Sequence, residues 1–274
     1  MLTGVKGIIF DIDGVLEFQG KVYPRAIEFV NMLREKGMIL RFLTNSTLKS
    51  RKSCAEKLNK KGFQVSKEEI ITASFATAAY LKELNPRSCW VMQEGDGFDE
   101  FRGFCQDTKN PEYIIIGDNR SKFDFDHLNH VLRLLLNGAK LIGMQEELTD
   151  TSLGEVELNV GSWTGMLERA ARIKATYIGK PSSYVFKLAL KTMELEKSEV
   201  IILGDRVSTD IKGANNFGIK SVLIKTGEFD ERDIEGNIKP DYVFNSIGEL
   251  MAKVEMEDKK KDLLNFCRIC IKEE

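Results

Sequence analysis

The sequence of 274 residues contains no apolar run of the length that a membrane-spanning helix requires. Its most apolar stretches, such as Tyr113–Ile116, have the length of buried strands instead. The first apolar run is short and ends at Asp11, so we do not expect an N-terminal signal peptide. A membrane protein is therefore not expected, and no membrane partner is predicted.

An excess of charge of one sign is also missing. Lys and Arg total 40, Asp and Glu total 42, and the formal net charge is −2. A strongly basic chain would be attracted to nucleic acid and to anionic lipid through its overall field, and this chain has no such field. We therefore predict no nucleic-acid partner.

Cysteines are few and do not suggest a disulfide framework. The five of them are odd in number and scattered. Secreted domains held by disulfides have cysteines that are dense and even in number. We therefore predict reduced thiols and a cytoplasmic location. Cys267 and Cys270 form a Cys-x-x-Cys pair near the C-terminus, but without a second pair their helical spacing favours an amphipathic tail helix.

Strand-like and helix-like segments alternate in two parts of the chain. The first part has strands at 7–10 and 38–43, with helices after Pro24, at 48–61 and at 73–84. The second part has helices at 182–195 and 209–217, with strands at 199–203, 220–224 and 241–244. This alternation predicts an α/β fold with a doubly wound, Rossmann-like parallel sheet between two layers of helices.

The middle of the chain has the pattern of a smaller α/β domain. It contains a strand at Tyr113–Ile116, a helix at Phe125–Leu136 and a strand at 139–143. We therefore predict a core formed by residues 1–84 and 177–254, an inserted cap at 85–176 and a tail helix at 255–274. The charged run 258–261 is interpreted as a linker before that tail.

Two carboxylates follow the first predicted strand. Asp11 and Asp13 lie at its carboxyl end, and Gly14 then allows the chain to turn. A pair of carboxylates at the tip of a buried strand is costly unless a cation, a proton or a reaction compensates the charge. This pair is therefore the first candidate for a catalytic site.

Three further polar clusters follow predicted strands. They are Thr44-Asn45, Lys180 in a Gly-Lys-Pro run, and Asp205 with Asp210. In doubly wound sheets, ligands bind at the carboxyl ends of the strands. Carboxylates, a fixed ammonium, a hydroxyl and oxygen ligands for a hard cation are the groups that phosphoryl transfer uses.

The order of these clusters resembles the four motifs of the haloacid dehalogenase superfamily. The motifs are Asp11-x-Asp13-Gly14-Val15, then Thr44-Asn45, then Gly179-Lys180-Pro181, then Gly204-Asp205-Arg206-x-x-Thr209-Asp210. Within the superfamily, the chain is most similar to the NagD-like or p-nitrophenylphosphatase-like phosphatases. The long stretch between the second and third motifs leaves room for a domain. The resemblance therefore implies the class whose cap domain is inserted between these two motifs.

The resemblance implies a role for each residue at the phosphoryl group. Asp11 is implied to be the nucleophile that becomes phosphorylated, and Asp13 the general acid and base. Thr44 and the Asn45 backbone are implied to bind the phosphoryl oxygens. Lys180 is implied to hold Asp11 and the phosphate together.

The resemblance also implies a magnesium ion as cofactor. Asp11, the main-chain carbonyl of Asp13 and Asp205 are implied to bind Mg²⁺, and Asp210 to support the metal site directly or through water. The chain departs from the family pattern at Glu17, where an aromatic residue is usual.

The predicted function is hydrolysis of a small-molecule phosphate monoester, with Mg²⁺ and an aspartyl-phosphate intermediate. A phosphotransferase with the same covalent step, and a catalytically silent binding or regulatory protein with the same fold, remain alternatives. A phospho-receiver domain is disfavoured by the length of the chain. The sequence does not identify the substrate, and a homodimer remains open because caps of this kind can dimerise.

Overall fold

A computed structural model describes residues 1–121, 123–151 and 154–270, with only the backbone described at 234–235 and 261–270. Eight helices, α1 to α8, lie in these residues: Ala26–Glu35, Arg51–Lys60, Ala73–Leu84, Phe125–Leu136, Val160–Ala171, Ser183–Met193, Lys212–Phe217 and Ile247–Cys270. Fourteen strands, β1 to β14, lie in the same part of the chain: Gly7–Asp11, Glu17–Phe18, Lys21–Val22, Ile39–Thr44, Ile70–Thr72, Cys89–Met92, Tyr113–Ile116, Lys140–Gly143, Thr149–Asp150, Glu157–Leu158, Thr176–Tyr177, Val200–Gly204, Lys220–Ile224 and Tyr242–Phe244.

The larger sheet has six strands in the order β14-β13-β12-β1-β4-β5, and every neighbouring pair is parallel. Strand β1 lies at its centre, with Phe10 opposite Leu203 of β12 and Phe42 of β4. Parallel strands need crossover connections, which the helices supply. The predicted α/β fold with a doubly wound parallel sheet is confirmed.

Alternate residues of β1 pack against opposite layers of helices. Ile8 and Phe10 belong to the hydrophobic cluster that includes residues of α1, α2 and α8. Ile9 belongs to the cluster on the other face, which includes residues of α3, α6 and α7. Because both faces are covered, the central strand is apolar throughout until it reaches Asp11.

The smaller sheet has four parallel strands in the order β11-β8-β7-β6. One face packs on helices α4 and α5 through residues such as Ile114, Val131 and Leu167. The other face contributes Ile115 and Ile142 to the cluster that also holds α3 and α6 of the core. The cap therefore packs on the core through apolar side chains, while the exact boundaries of the two units stay a prediction.

Local signals explain where several helices begin. The side chains of Ser50, Thr72 and Asp124 each accept a hydrogen bond from a main-chain N–H in the first turn of α2, α3 and α4. Ser66 and Glu69 form a capping box around a short 3₁₀ turn, after which β5 begins at Ile70.

Helix α8 differs from the prediction of a linker at 258–261. It continues without interruption from Ile247 to Cys270, so the linker interpretation is wrong. Lysines and acidic residues are tolerated well in exposed helices, and Asp258 also forms an ion pair with Lys36 of the core. The predicted apolar face of the tail, at Leu263, Phe266, Cys267, Cys270 and Ile271, lies outside the side chains that are described. Within the described residues, no helix combines the length and apolar character needed to span a bilayer.

Candidate active site

Three neighbouring strands of the larger sheet bring the predicted site residues together. Strand β1 ends at Asp11, strand β4 ends at Thr44, and Asp205 follows the last residue of β12. These strands lie in the order β12-β1-β4, so their carboxyl ends meet at one edge of the sheet. Residues that are far apart in the sequence therefore surround one point.

Two glycines allow the acidic groups to approach one another. Gly14 has φ 88°, and a Cβ there would lie 2.0 Å from Asp205 Oδ2. A Cβ at Gly204 would lie 2.2 Å from the Cβ of Asp210. Atoms that are not bonded to each other do not come this close, so a side chain at either position would push a carboxylate out of the site.

Lys180 joins two of the carboxylates. Its Nζ lies 2.7 Å from Asp11 Oδ1 and 2.7 Å from Asp210 Oδ1, and all three side chains are buried. Asp210 is also held by Thr209, whose hydroxyl donates to Asp210 Oδ2 at 3.2 Å. A buried ammonium thus compensates part of the charge of two buried acids.

Asp205 supplies a third carboxylate. Single oxygens of Asp11, Asp205 and Asp210 lie within 4.8 Å of one another. Asp205 Oδ2 accepts a hydrogen bond from the Glu228 N–H at 2.7 Å, but its buried Oδ1 has no hydrogen-bond partner among the described residues. These three carboxylates and the Lys180 ammonium, which we call the carboxylate centre, carry an excess of negative charge.

Burial and this excess of charge raise the pKa of Asp11 and of Asp205. Burial, followed by the charge of Asp210, raises the pKa of Asp11 well above its usual value, although Lys180 opposes the shift. The same two causes raise the pKa of Asp205 to about 8. Burial lowers the pKa of Lys180, but attraction to Asp11 and Asp210 exceeds that effect and raises it overall. The cluster therefore favours a proton or a further cation.

Asp13 and Thr44 lie on the open side of the cluster. The Asp13 side chain is 42% exposed, unlike those of the other acids, and its Oδ2 accepts a hydrogen bond from Thr44 Oγ1 at 3.3 Å. Thr44 Oγ1 in turn accepts from the Ser46 N–H at 3.0 Å. A solvent-accessible carboxylate beside a buried one gives the two acids different environments, which is the usual basis for different roles in proton transfer.

Asn45 positions the main chain of Lys180. Its Oδ1 accepts from the Lys180 N–H at 2.8 Å, and its Nδ2 donates to the Lys180 carbonyl at 2.9 Å. The same Nδ2 donates to Glu147 Oε2 at 2.9 Å. The side chain of Asn45 is thus engaged in contacts within the protein. These contacts leave open the role that the resemblance implies for the Asn45 backbone.

A cavity of about 240 Å³ opens above these residues, between core and cap. The structure brings all seven predicted site residues to this place. Five of them line the cavity, namely Asp11, Asp13, Thr44, Asn45 and Lys180. The other two, Asp205 and Asp210, lie behind them in the carboxylate cluster.

Sequence reasoning missed several residues of the cavity. Three of them are Glu147 of the cap, Arg206 and Glu228. Arg206 forms an ion pair with each of the two glutamates. Lys57 also lines the cavity and lies 3.9 Å from Asp13 Oδ1, while pairing with the buried Glu17. Only Arg206, as the neighbour of Asp205, carried a signal in the sequence; the others lie in loops or on a polar helix face.

The site and fold together define an α/β enzyme whose carboxylate-rich centre lies at strand ends beneath an inserted cap. Family models match both parts of the core. A model described as haloacid dehalogenase-like hydrolase matches residues 8–104, and one described as HAD-hydrolase-like matches residues 177–250. The chain belongs to the haloacid dehalogenase-like hydrolase family.

Individual relatives cover nearly the whole chain. It is 34% identical to the phospholysine phosphohistidine inorganic pyrophosphate phosphatase of Danio rerio in an alignment over 242 residues, which covers 85% of this chain and 87% of that protein. The crystal structure of 4-nitrophenylphosphatase from Thermotoga maritima superposes with a TM-score of 0.86, at 27% identity, over 92% of this chain and 98% of that one. NagD from E. coli K-12 superposes with a TM-score of 0.83, at 28% identity, over 89% and 98%.

These similarities confirm the predicted branch of the family. The solved structures are a p-nitrophenylphosphatase and NagD, and the curated relative is also named as a phosphatase. The prediction of an enzyme of the phosphatase class within the haloacid dehalogenase superfamily is therefore confirmed.

Proposed function

We propose that the protein hydrolyses a small-molecule phosphate monoester through an aspartyl-phosphate on Asp11, with Mg²⁺ as cofactor. The observation that carries the proposal is the arrangement of Asp11, Lys180 and Asp13 at one cavity. Asp11 is buried and ion-paired at 2.7 Å with Lys180, whereas Asp13 is exposed on the cavity side. One acid is thus placed as a nucleophile beside a fixed cation, and the other is accessible to a leaving group and to water.

The residues present fit a divalent cation. The three carboxylates of Asp11, Asp205 and Asp210 offer hard oxygen ligands within 4.8 Å of one another, and Asp205 Oδ1 is buried without a hydrogen-bond partner among the described residues. We assign Asp11, Asp205 and the Asp13 carbonyl as the groups that would hold Mg²⁺, with Asp210 in support. When bound, the ion would offset negative charge on the phosphoryl oxygens.

The chain's own residues account for both half-reactions. An Asp11 oxygen attacks phosphorus, the ester P–O bond breaks, and Asp13 gives its proton to the leaving oxygen. Water then attacks the phosphorus of the aspartyl-phosphate and passes a proton to Asp13. The bond between phosphorus and the Asp11 oxygen breaks and inorganic phosphate leaves, which restores both carboxyl groups. Lys180 and the Thr44 hydroxyl supply positive charge and a hydrogen bond near the transferring group, where negative charge must be stabilised.

Hydrolysis of p-nitrophenyl phosphate by the purified protein tests the proposal. We expect turnover with Mg²⁺, loss of turnover in EDTA, and recovery when Mg²⁺ is added back. Asp126→Asn is a suitable control for substitutions at Asp11, because Asp126 is an exposed carboxylate in the first turn of helix α4. Full turnover in EDTA, or in Asp11→Ala, would refute the mechanism.

Acid quenching with a ³²P-labelled substrate tests the covalent step. Wild-type protein should carry acid-stable label during turnover, and Asp11→Asn should carry none. Asp13→Asn should accumulate label with an activated ester such as p-nitrophenyl phosphate, because the leaving group needs little protonation while the water attack needs a base. Label that persists in Asp11→Asn would place the nucleophile elsewhere.

The physiological substrate is to be found with a panel of phosphate compounds. The name of the Danio rerio relative includes phospholysine, phosphohistidine and pyrophosphate, so the panel should hold P–N and P–O–P bonds as well as esters. Adding a competing alcohol to the assay distinguishes hydrolysis from phosphotransfer. A homodimer and a cytoplasmic location stay predictions, the first of them open to sedimentation measurements.

A further inference from the structure

An ion cluster outside the carboxylate centre connects the cap to the core. Arg206 Nη1 lies 2.5 Å from Glu228 Oε2 and also contacts Glu147 Oε1. Glu147 belongs to the cap loop between β8 and β9, whereas Arg206 and Glu228 belong to core loops after β12 and β13. We call Arg206, Glu147 and Glu228 the Arg206 cluster.

The Arg206 cluster is mostly shielded from solvent. The exposed fractions of the side chains are 10% for Glu147, 16% for Glu228 and 25% for Arg206. Burial raises the pKa of Glu147, and the charge of Arg206 opposes that shift. Removing the cation would leave two shielded carboxylates facing each other, which is far more costly than breaking an exposed ion pair.

One branch of the cluster reaches Lys180. Glu147 Oε2 accepts from Asn45 Nδ2 at 2.9 Å, and Asn45 bonds both the N–H and the carbonyl of Lys180. The position of the Lys180 main chain therefore depends on an amide that a cap carboxylate orients. Lys180 in turn bonds Asp11 at 2.7 Å.

The other branch contacts the cap at Thr151 and the carboxylate centre at Asp205. The Glu228 carboxylate accepts from the Thr151 N–H of the cap at 3.0 Å and also from its hydroxyl. The main-chain N–H of Glu228 donates to Asp205 Oδ2 at 2.7 Å. A single guanidinium thus holds two loops, of which one contacts Asp205 directly and the other reaches Lys180 through Asn45.

We propose that Arg206 is a positioning residue, which joins the cap loop at Glu147 to the core loop at Glu228 and thereby fixes Asn45 and the Lys180 main chain. The proposal rests on the proposed phosphatase function. Arg206 acts through other residues, so its loss should affect the rate of the chemical step more than the affinity for a small substrate. Misplacement of a catalytic group by about 1 Å can lower a rate by about 100-fold.

Kinetics with p-nitrophenyl phosphate test this positioning role. We expect Arg206→Ala to lower kcat by roughly 10- to 100-fold with less than about a threefold change in KM. Millimolar guanidinium should restore part of kcat in this variant, because it can occupy the site between the two carboxylates. Arg206→Lys should keep less than half of the wild-type kcat, since both acids contact Arg206 Nη1 and the shorter lysine side chain does not carry its ammonium to that position.

Lys212 provides a matched control. Its Nζ lies 3.2 Å from Glu146 Oε1, so it also links core and cap, but both side chains are about 40% exposed and neither lines the cavity. Lys212→Met should keep kcat within about twofold, since exposed ion pairs contribute little. An equal loss in both variants, or a loss in Arg206→Ala that guanidinium does not relieve, would overturn the proposal.

Amide hydrogen exchange gives a readout that does not need turnover. Peptides that cover residues 144–151 should exchange faster in Arg206→Ala than in wild type, while peptides from helix α4, on the far side of the cap, should not change. Unchanged exchange at 144–151 overturns the proposal whatever the activity. If the wild type hydrolyses no phosphate compound, the proposed function fails, and the positioning role in catalysis fails with it even where exchange shows that Arg206 holds the loop.

Discussion

Substitution of Asp11 by Asn separates catalysis from stability. The variant keeps the shape of the side chain but lacks the nucleophilic oxygen charge, so we expect kcat to fall by at least about 10³-fold, as for other enzymes that lose their nucleophile. Stability should not fall with it. The reason lies in the charges that surround Asp11.

The electrostatic balance at Asp11 can be estimated from the distances. Its repulsion from Asp205 and from Asp210, at separations up to 4.8 Å, amounts to about 3.5 kcal/mol each at an effective dielectric constant of about 20. Its attraction to Lys180 at 2.7 Å amounts to about 6 kcal/mol on the same basis. The two repulsions slightly exceed the attraction, and the variant also buries one charge fewer. Asp11→Asn should therefore leave the metal-free protein as stable as wild type or about 1 kcal/mol more stable.

Two assays decide this prediction. Urea unfolding in EDTA above about pH 8, where Asp205 is ionised, gives the free energy of unfolding, and hydrolysis of p-nitrophenyl phosphate in Mg²⁺ gives kcat. A gain of about 1 kcal/mol corresponds to a rise in Tm of about 2–4 °C for a protein of this size. Asp126→Asn should leave kcat unchanged and should lower the free energy of unfolding by less than about 1 kcal/mol, because it removes a favourable charge from the first turn of α4. A kcat above about 1% of wild type would refute Asp11 as the nucleophile, and a loss of more than about 2 kcal/mol would refute the electrostatic reasoning.

Three further substitutions or conditions test the charges of the site. Lys180→Met leaves two buried carboxylates without their ammonium and should lower the free energy of unfolding in EDTA by about 3–5 kcal/mol, with kcat down at least about 100-fold; unchanged urea midpoints would contradict this. The double variant Lys57→Met with Lys61→Met removes both cations from Glu17, which is 1% exposed, and should lower the free energy of unfolding by a similar amount. Adding Glu17→Met in a triple variant should restore this loss. The pKa of Asp205 is raised to about 8, so the folded protein binds more protons than the unfolded chain between about pH 4 and 8. The free energy of unfolding in EDTA should therefore fall by up to about 1.4 kcal/mol per pH unit across this window, and stabilisation by Mg²⁺ should grow with pH. A free energy of unfolding that rises with pH in EDTA would refute the shift.

The larger sheet and parts of the cap could be predicted because their strands and helices leave a strong local signal. Strand β1 is apolar on both faces and ends at a carboxylate, and β7 and α4 have the predicted bounds. The ribbons β2-β3 and β9-β10 were missed, since strands of two residues have no measurable period. Helix α5 was missed as well, and its sequence contains two glycines, which lower intrinsic helix propensity.

The candidate site could be predicted only where its residues directly follow strands. Asp11, Thr44 and Asp205 are of this kind, since parallel strands carry their ends to one edge. Glu147 and Glu228 are not, because each lies in a loop and gains its role only from Arg206 across the interface between cap and core. Pairings between distant loops depend on how the two units pack, which no local pattern encodes.

The two acidic groupings of the cavity differ in how their charge is balanced, and this difference supports the proposed place of the metal. In the Arg206 cluster, one guanidinium faces two carboxylates, and Asn45 and Thr151 donate to the oxygens that Arg206 leaves. In the carboxylate centre, one ammonium faces three carboxylates, and Asp205 keeps a buried oxygen without a hydrogen-bond partner among the described residues. A divalent cation would complete the second grouping, whereas in the first it would have to displace an arginine. The proposed Mg²⁺ therefore fits Asp11 and Asp205 better than any site at Glu147, and a metal-dependent change in amide exchange confined to the strand ends would distinguish the two.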